Sequence, residues 1–553
     1  MLLLSKYPFK TLKSVPKISD NRSTSLLLQA GYIRQEMAGA YIFLNFGLRV
    51  LNKIANIVRE ELDNIGSAEI LMTTLGTKDH RMQTGRWDSL DILFKTLGAG
   101  NKEYAVNSTH EEVVTPLMQE FIQSYKDLIN CSVYQIQTKF RNEARAKSGL
   151  LRGREFLMKD MYSFHANEKD FDEYYELSKV AYLKIFERLG LGDCTNITIA
   201  DGGSFTDKFS HEFQTILDIG EDTIAMDSSG YCANVEVAEG IPDNKNLDEE
   251  EKKLEYIEAS GVLTVDDMVK FFKCPKWQIL KTVVYKDETG QLFGIVVRGD
   301  LDVNEIKVRK FIHQKFMQAT EEDLEKLETA RGFVSPVTQD NYKGIIFYGD
   351  NSLKTVKNFI GGGKKKDLDL KNINLKDMCI KEFGDFANVA PGFLSKNTGE
   401  KLEFKKACEV GNIFPLMTKF SNAFGLKYLD GNGKTQDILM GCYGIGVSRV
   451  MGVIAEKFMD EKGLIWPENI APYDYYMIVM GDNLQKAKEL AIKLEKEGKS
   501  VIIDDRDAGF GQKAGDFDLL GIPYRIVISD KTLISDSYEL KSRKSDEVNL
   551  VSF

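Results

Sequence analysis

KFRNEARAKSGLLRGREF, residues 139–156, decides how the chain is read. The whole chain is acidic, with a formal net charge of -10 over 553 residues. This run alone holds Lys139, Arg141, Arg145, Lys147, Arg152 and Arg154 against only Glu143 and Glu155. Arg141 and Glu143 stand two apart, a spacing that puts both side chains on one face of a strand. A loop with Gly149 and Gly153 follows, carrying Arg152 and Arg154, and then comes the ring of Phe156. A guanidinium can grip a phosphate with two parallel N–H bonds. A carboxylate can accept from an exocyclic amine, and a ring can stack on a base. The expectation is an adenosine triphosphate site on an antiparallel sheet. Spacing alone leaves a solvated charged face open as the alternative.

Working outward, 553 residues exceed what one hydrophobic core carries, so several domains are expected. The hydrophobic share of 43% and charged share of 28% are those of a globular protein. No apolar run reaches eighteen residues, so no membrane-spanning helix is expected. MLLLSKYPFK at the start is too short an apolar stretch for a secretion signal and lacks a small-residue cleavage site. The seven cysteines are scattered with no Cys-x-x-Cys pair, which argues against a zinc ribbon and for a reducing, cytoplasmic setting. The five histidines show no metal-ligand spacing. GGGKKKD (361–367) fails as a phosphate loop, because Asn358 and Lys365 stand where glycine and serine or threonine are needed. GCYGIGVSRVMG (441–452) fails as a dinucleotide fingerprint, because the third glycine is Arg449.

The apolar periods predict helices over 47–65 and 168–190, and strands over 103–107 and 133–137. Near residue 240 the composition turns polar and acidic, and IPDNKNLDEEEKKLE reads as a linker. An α/β-patterned segment follows, closing with GGGKKKDLDLKN, which reads as a flexible basic loop. A self-contained insert is therefore expected over 225–405. From 475 onward, strands and helices alternate as in a small α/β domain: YYMIVM, NLQKAKELAIKLEKEG, VIIDD, a short helix, then YRIVIS.

Several ordered motifs add a resemblance. FRNE with its loop and Phe156 resembles motif 2 of class II aminoacyl-tRNA synthetases, and GCYGIGVSR (441–449) resembles motif 3. NSTHEEVVT (107–115), YQIQTKFRNE (134–143), REFLMKDMYSFH (154–165) and MGCYGIGVSR (440–449) together resemble the bacterial-type prolyl-tRNA synthetases, over nearly the whole chain. The fold class this implies is mixed, α+β and α/β. It combines a class II antiparallel-sheet catalytic domain in two parts (1–224 and 406–468), an inserted α/β editing domain (225–405) and a C-terminal α/β anticodon-binding domain (469–553). The implied reaction activates L-proline with ATP and Mg²⁺ to prolyl-adenylate and transfers it to the 3′ end of tRNA(Pro).

The resemblance also implies roles. Arg141 would hold the α-phosphate, Glu143 the adenine amine, and Arg152 a further phosphate. Phe156 and Arg449 would stack on either side of adenine, Arg449 also reaching the γ-phosphate. Gln436 and Asp437 are candidates at the ATP–Mg²⁺ end. Thr109 and Glu111 would bind the imino group of proline, with Arg141, His165, His211 and Cys442 near the same pocket. A core histidine, or for Cys442 a small buried thiol, is the alternative reading. In the insert, Lys281, Gly332, Pro336 and Asp350 match editing positions, the activity being hydrolysis of alanine misattached to tRNA(Pro). The family's histidine after the glycine-rich stretch has no counterpart, since the insert's single histidine is His313. Arg506 and Lys513 are candidates for anticodon contact, a solvated face being the equal alternative. Thr73 stands where motif 1 ends in proline, at the interface of the homodimer the family implies. Two competing readings are a catalytically inactive synthetase-like RNA-binding or regulatory protein, and a synthetase for a neighbouring amino acid such as threonine.

Overall fold

The computed structural model describes residues 1–8, 10–14, 21–338 and 342–553. The chain divides into two compact units: Met1–Ile197 with Gly202–Glu221 and Ala407–Phe553, and Thr198–Asp201 with Asp222–Lys406.

The first unit is built on an antiparallel sheet. Ser132–Phe140 pairs with Glu155–His165, which pairs with Leu439–Ile445. That strand pairs in turn with the long strand Glu403–Met417, and Ser210–Ile216 lies along the latter. The register sets Phe414, Cys442 and Tyr162 in one row across three strands. Three helices cover the sheet: Asn45–Asn64, Glu168–Arg188 and Val447–Lys457. Each buries a stripe at helical spacing, such as Val50, Ile54 and Val58 on the first, all fully buried. The two long helices fall where the apolar period predicts them. Asn167 caps the second by accepting from the Asp170 N–H at 3.0 Å.

The C-terminal part of this unit is a second sheet. Val501–Asp504, Tyr475–Val479 and Tyr524–Ile528 run parallel, with helices Leu484–Lys496 and Phe510–Leu520 as crossovers. These strands are near-continuous apolar runs because both faces are covered. Two antiparallel strands, Ser537–Ser542 and Val548–Ser552, extend one edge beyond what the sequence pattern predicts. On the other edge Leu2 and Leu3 pair in parallel with Ile502 and Ile503. The leucines of the N-terminus are thus the sheet's edge strand.

The second unit holds a five-stranded sheet in the order Phe316–Gln318, Leu280–Asp287, Leu292–Arg298, Ile345–Asp350, Ile380–Gly384. A three-stranded sheet orders Glu255–Glu258, Leu368–Ile373 and Phe359–Gly362. Two readings are corrected here. The acidic stretch after 240 is not a free linker. Asn246 exchanges two hydrogen bonds with Lys357, at 3.0 and 2.9 Å, and Arg298 holds Asp243 at 2.9 Å. Nor is GGGKKKDLDLKN a flexible loop. Gly361 and Gly362 end one strand, Leu368 begins the next, and the lysines form the turn between them. Glycine is needed because a Cβ on Gly362 would come 2.5 Å from Phe333 Cα.

Candidate active site

The strand Ser132–Phe140 stops one residue before Arg141, so the alternation expected of Arg141 and Glu143 is corrected. Both lie in the loop beyond the strand. The Glu143 N–H donates to the Arg141 carbonyl at 2.7 Å, and the Arg141 N–H donates to the Arg154 carbonyl at 2.8 Å. The returning strand brings Phe156 opposite Lys139. The Arg141 guanidinium then lies 5.3 Å from the centre of the Phe156 ring. Arg141, Glu143, Arg152, Phe156 and Arg449 line one cavity.

Glu143, Arg152 and Arg449 are held in place at this end of the cavity. Arg152 reaches the Glu143 carboxylate with two donors, at 2.8 and 3.0 Å. Arg449, in the first turn of Val447–Lys457, donates to the Leu151 carbonyl at 2.7 Å and to the Glu409 carboxylate at 3.0 Å. Arg141 Nε is buried without a hydrogen-bond partner. Loss of water and the nearby Arg449 both hold the Arg141 guanidinium below its ordinary value. An anion entering between these two arginines would relieve both effects.

Thr109 and Cys442 line the other end of the same cavity, with Phe205 and Phe414 stacked at 4.6 Å beside them. Glu111 sits behind, fully buried in the first turn of the helix Glu111–Met118, where the dipole favours a carboxylate. It accepts from Thr109 Oγ1 at 2.7 Å and from the Cys442 thiol at 3.2 Å. Arg86 approaches it at 3.1 Å and bridges to Glu112 at 3.1 Å, while Arg81 pairs with Glu112 at 2.6 Å. Burial pushes the Glu111 carboxyl up, but Arg86, Thr109 and Cys442 together outweigh this and hold it below the usual carboxylate range. Beside it, Lys139 pairs with Asp160 at 2.7 Å and meets His110 Nδ1 at 2.8 Å. Burial and the adjacent Lys139 push His110 down to about 4, so the imidazole is neutral.

The remaining expected residues lie elsewhere. His165 bonds Ser163 at 2.8 Å and lines a different cavity beside Tyr174, and burial pushes it down to about 4. His211 meets the Tyr175 hydroxyl at 2.9 Å; its strand partner Ile413 stands between Asn412 and Phe414 of the cavity wall. Gln436 donates to Asp430 and Asp437 pairs with Lys427, both on an exposed hairpin apart from the cavity. Among the anticodon candidates, Lys513 is buried and donates to the Val479 carbonyl at 2.7 Å, which corrects its reading as a surface contact. Arg506 is committed to Asp504 and Asp516, each at 2.7 Å.

In the second unit Lys281 and Gly332 line one cavity of about 220 Å³. The Lys281 ammonium is held by Asp302 at 2.7 Å and by the Leu301 carbonyl at 3.2 Å. Gly332 has a φ of +90°, and a Cβ there would meet the Leu263 carbonyl at 2.6 Å. Pro336 is buried outside this cavity, its carbonyl accepting from the Cys379 N–H at 2.7 Å. Asp350 is buried and turned to structural use, accepting from the N–H groups of Ser352, Phe386 and Ala387 at 2.8, 2.8 and 3.0 Å.

Sequence reasoning missed Glu409, Asp160 and Arg86. Glu409 falls outside every motif, and only the register of its strand brings it to Arg449. Arg86 and Asp160 act through buried pairs between distant segments, which no local spacing displays.

The family description "tRNA synthetase class II core domain (G, H, P, S and T)" matches residues 94–458, and "Anticodon binding domain" matches residues 474–553. A "Proline--tRNA ligase" of Bacillus subtilis is 39% identical over 551 residues, covering 98% of this chain and 96% of the relative. One from Brachyspira hyodysenteriae is 38% identical, over 98% of this chain and 95% of the relative. Among solved structures, the prolyl-tRNA synthetase of Cryptosporidium parvum with halofuginone and AMPPNP aligns at a TM-score of 0.57 with 12% identity. It covers 96% of this chain and 72% of that one. The Giardia lamblia enzyme with prolyl-adenylate aligns at 0.56 with 14% identity, covering 96% and 74%.

Proposed function

The chain belongs to the proline–tRNA ligase family of class II aminoacyl-tRNA synthetases, and from that premise we propose how its residues divide the work. The reaction is ATP-dependent activation of L-proline followed by transfer to tRNA(Pro). The observation that carries the assignment of roles is the single cavity with arginines at one end and the Thr109–Glu111–Cys442 group at the other.

Arg141 and Arg449 receive the phosphates, Phe156 carries the adenine, and Glu143, fixed by Arg152, accepts from its amine. Proline enters with a secondary ammonium, which the buried, charged Glu111 and Thr109 recognise. The proline carboxylate oxygen forms a bond to the α-phosphorus as the bond to the β-phosphate oxygen breaks, and pyrophosphate leaves. Arg141 is in place before charge develops, so stabilising it needs no reorganisation. The terminal ribose hydroxyl of the tRNA then attacks the activated carbonyl, loses its proton, and AMP departs. Two fixed ends on one cavity supply the positioning. Glu409 on the cavity wall would hold Mg²⁺ together with the ATP phosphate oxygens, and the ion would supply neutralisation of phosphate charge there.

The second unit is assigned to hydrolysis of alanine misattached to tRNA(Pro). A proline pocket cannot reject the smaller alanine by size, and each missing methylene discriminates by only about 1–3 kcal/mol. The cavity of Lys281 and Gly332 is the site assigned to it. Residues 474–553 are assigned to the anticodon, whose splayed bases are read by their edges. Two chains pair through the surface around Thr73, where Leu71 and Leu75 are 77% and 54% exposed. A cytoplasmic setting accords with seven free cysteines. No helix among the described residues is long and apolar enough to cross a membrane.

The test is amino-acid-dependent ATP–pyrophosphate exchange with proline, alanine and threonine in parallel. Strong exchange with proline and weak exchange with alanine is expected. No exchange with any of the three would overturn the assignment and favour a regulatory or RNA-binding relative.

A further inference from the structure

Lys139 opens the basic run that decides how the chain is read, yet it does not line the cavity with Arg141 and Arg152. It is fully buried. Its partner in register is Phe156, and side chains of a cross-strand pair leave the sheet on the same face. On that face Phe156, Met158 and Asp160 line the cavity. There the Lys139 ammonium pairs with Asp160 at 2.7 Å and meets His110 Nδ1 at 2.8 Å. His110 Nε2 in turn lies 2.9 Å from the Thr73 carbonyl oxygen.

These contacts fix where the neutral imidazole carries its proton. A carbonyl oxygen can only accept, so Nε2 holds the N–H and Nδ1 keeps its lone pair for the lysine. His110 stands between Thr109 and Glu111 in the chain, and the backbone on either side of it is held as well. The Tyr162 hydroxyl oxygen accepts the His110 N–H at 3.0 Å, and Arg81 donates to the Thr109 carbonyl at 2.9 Å. The imidazole adds the one bond of this group that depends on which ring nitrogen is protonated, and Lys139 decides that.

We propose that Lys139 is a positioning residue for proline recognition. It acts through His110, holding the imidazole as the Nε2–H donor to Thr73 and so setting Thr109 and Glu111 at the cavity. The inference rests on the reading of Thr109 and Glu111 as receivers of the proline ammonium. The groups that face His110 are Lys139 from one strand, Asp160 and Tyr162 from the next, and Glu111 from the helix that follows it. Asp160 also stands 3.7 Å from His110 Nδ1. Lys139 pushes the imidazole down and Asp160 pushes it up, so removing the lysine raises it toward its ordinary value. In Lys139→Met, a His110 that takes up a proton would donate from Nδ1 to Asp160 and from Nε2 to Thr73. The missing charge and the positioning bond would both return on acidification.

The experiment measures the KM for proline in ATP–pyrophosphate exchange by the full-length protein at pH 8 and pH 6, each as a ratio of variant to wild type. Lys139→Met is expected to raise that KM about ten-fold or more at pH 8, the size of a charge-assisted bond, with the KM for ATP nearly unchanged. At pH 6 the ratio is expected to fall back several-fold, which a fault in packing alone would not produce. His110→Leu should raise the KM for proline equally at both pH values. His110→Gln, whose amide N–H can reach the Thr73 carbonyl, should regain most of that loss. A Lys139→Met ratio that stays near one, or that does not fall on acidification, would overturn the inference, as would equal effects of His110→Leu and His110→Gln. If Lys139→Met does not fold, the two His110 variants decide. If the wild type itself shows no proline-dependent exchange, it is the reading of Thr109 and Glu111 that falls.

Discussion

Arg86 lies 3.1 Å from the Glu111 carboxylate, and neither side chain reaches solvent. The guanidinium also lies 4.8 Å from the centre of the Phe205 ring and 5.4 Å from that of Phe420. Arg86 keeps Glu111 ionised in a place where burial alone would neutralise it. Replacing Arg86 by methionine leaves a buried carboxylate without its cation, at a cost of roughly 3–5 kcal/mol in stability. The Glu111 carboxyl then titrates higher, so the charge that meets the proline ammonium is lost first at low pH. The expected result is a KM for proline raised ten-fold or more near pH 6, with partial recovery toward pH 8 and little change in the KM for ATP. A KM for proline that does not move with pH would reduce Arg86 to a structural part.

At the other end of the cavity, Arg152→Ala releases the Glu143 carboxylate from its two bonds at 2.8 and 3.0 Å. Arg152 is partly exposed, so stability should change by less than about 1 kcal/mol. The KM for ATP is expected to rise several-fold, because the acceptor for the adenine amine is no longer fixed. Arg449→Lys should act more strongly. An ammonium cannot make both the Leu151 and Glu409 contacts and still present a planar face to adenine. A loss of about 100-fold in kcat/KM for ATP is expected in the exchange assay.

Much of this was legible in the sequence, for physical reasons that can be named. The helix over 45–64 shows because its buried face repeats every three or four residues. Arg141, Phe156 and Arg449 show because nucleotide recognition needs those groups in short, dense motifs. What stayed hidden acts across distance or reverses a local rule. Arg81, Arg86, Glu111 and Glu112 form one buried group only after a small three-stranded sheet folds. Lys513 and the lysine turn at 364–366 look alike in composition, yet the lysine at 513 is buried on carbonyl oxygens and the turn is mostly open to solvent. GGG reads as a loop because glycine favours turns, whereas here Gly362 is selected by the approach of Phe333.

Gly362→Ala tests that packing. The added Cβ would fall 2.5 Å from Phe333 Cα and 2.6 Å from the Gly332 carbonyl, and backbone cannot swing aside as a flexible side chain can. Overpacking of this kind costs about 1–3 kcal/mol. Gly362 belongs to the second unit, so the expected result is impaired hydrolysis of alanyl-tRNA(Pro) with proline-dependent exchange retained. Loss of both activities together would show that the two units do not fold separately.

Stability should also fall on mild acidification, through histidines that the fold keeps neutral. His110 and His165 are buried, and each is pushed down to about 4, desolvation being the first cause in both. In the unfolded chain each titrates near its ordinary value of about 6.5. Between those limits the unfolded state binds more protons than the folded one, so stability rises with pH and is lost as pH falls. At pH 5 each histidine has withdrawn roughly 2 kcal/mol relative to pH 7.5. His211, also pushed down to about 4, acts in the same direction. Denaturant midpoints measured at pH 7.5, 6 and 5 should therefore fall steadily. His165→Gln should show a shallower slope than the wild type, because the group that binds the extra proton on unfolding is gone. An unchanged slope in His165→Gln would mean that His165 takes up its proton without unfolding.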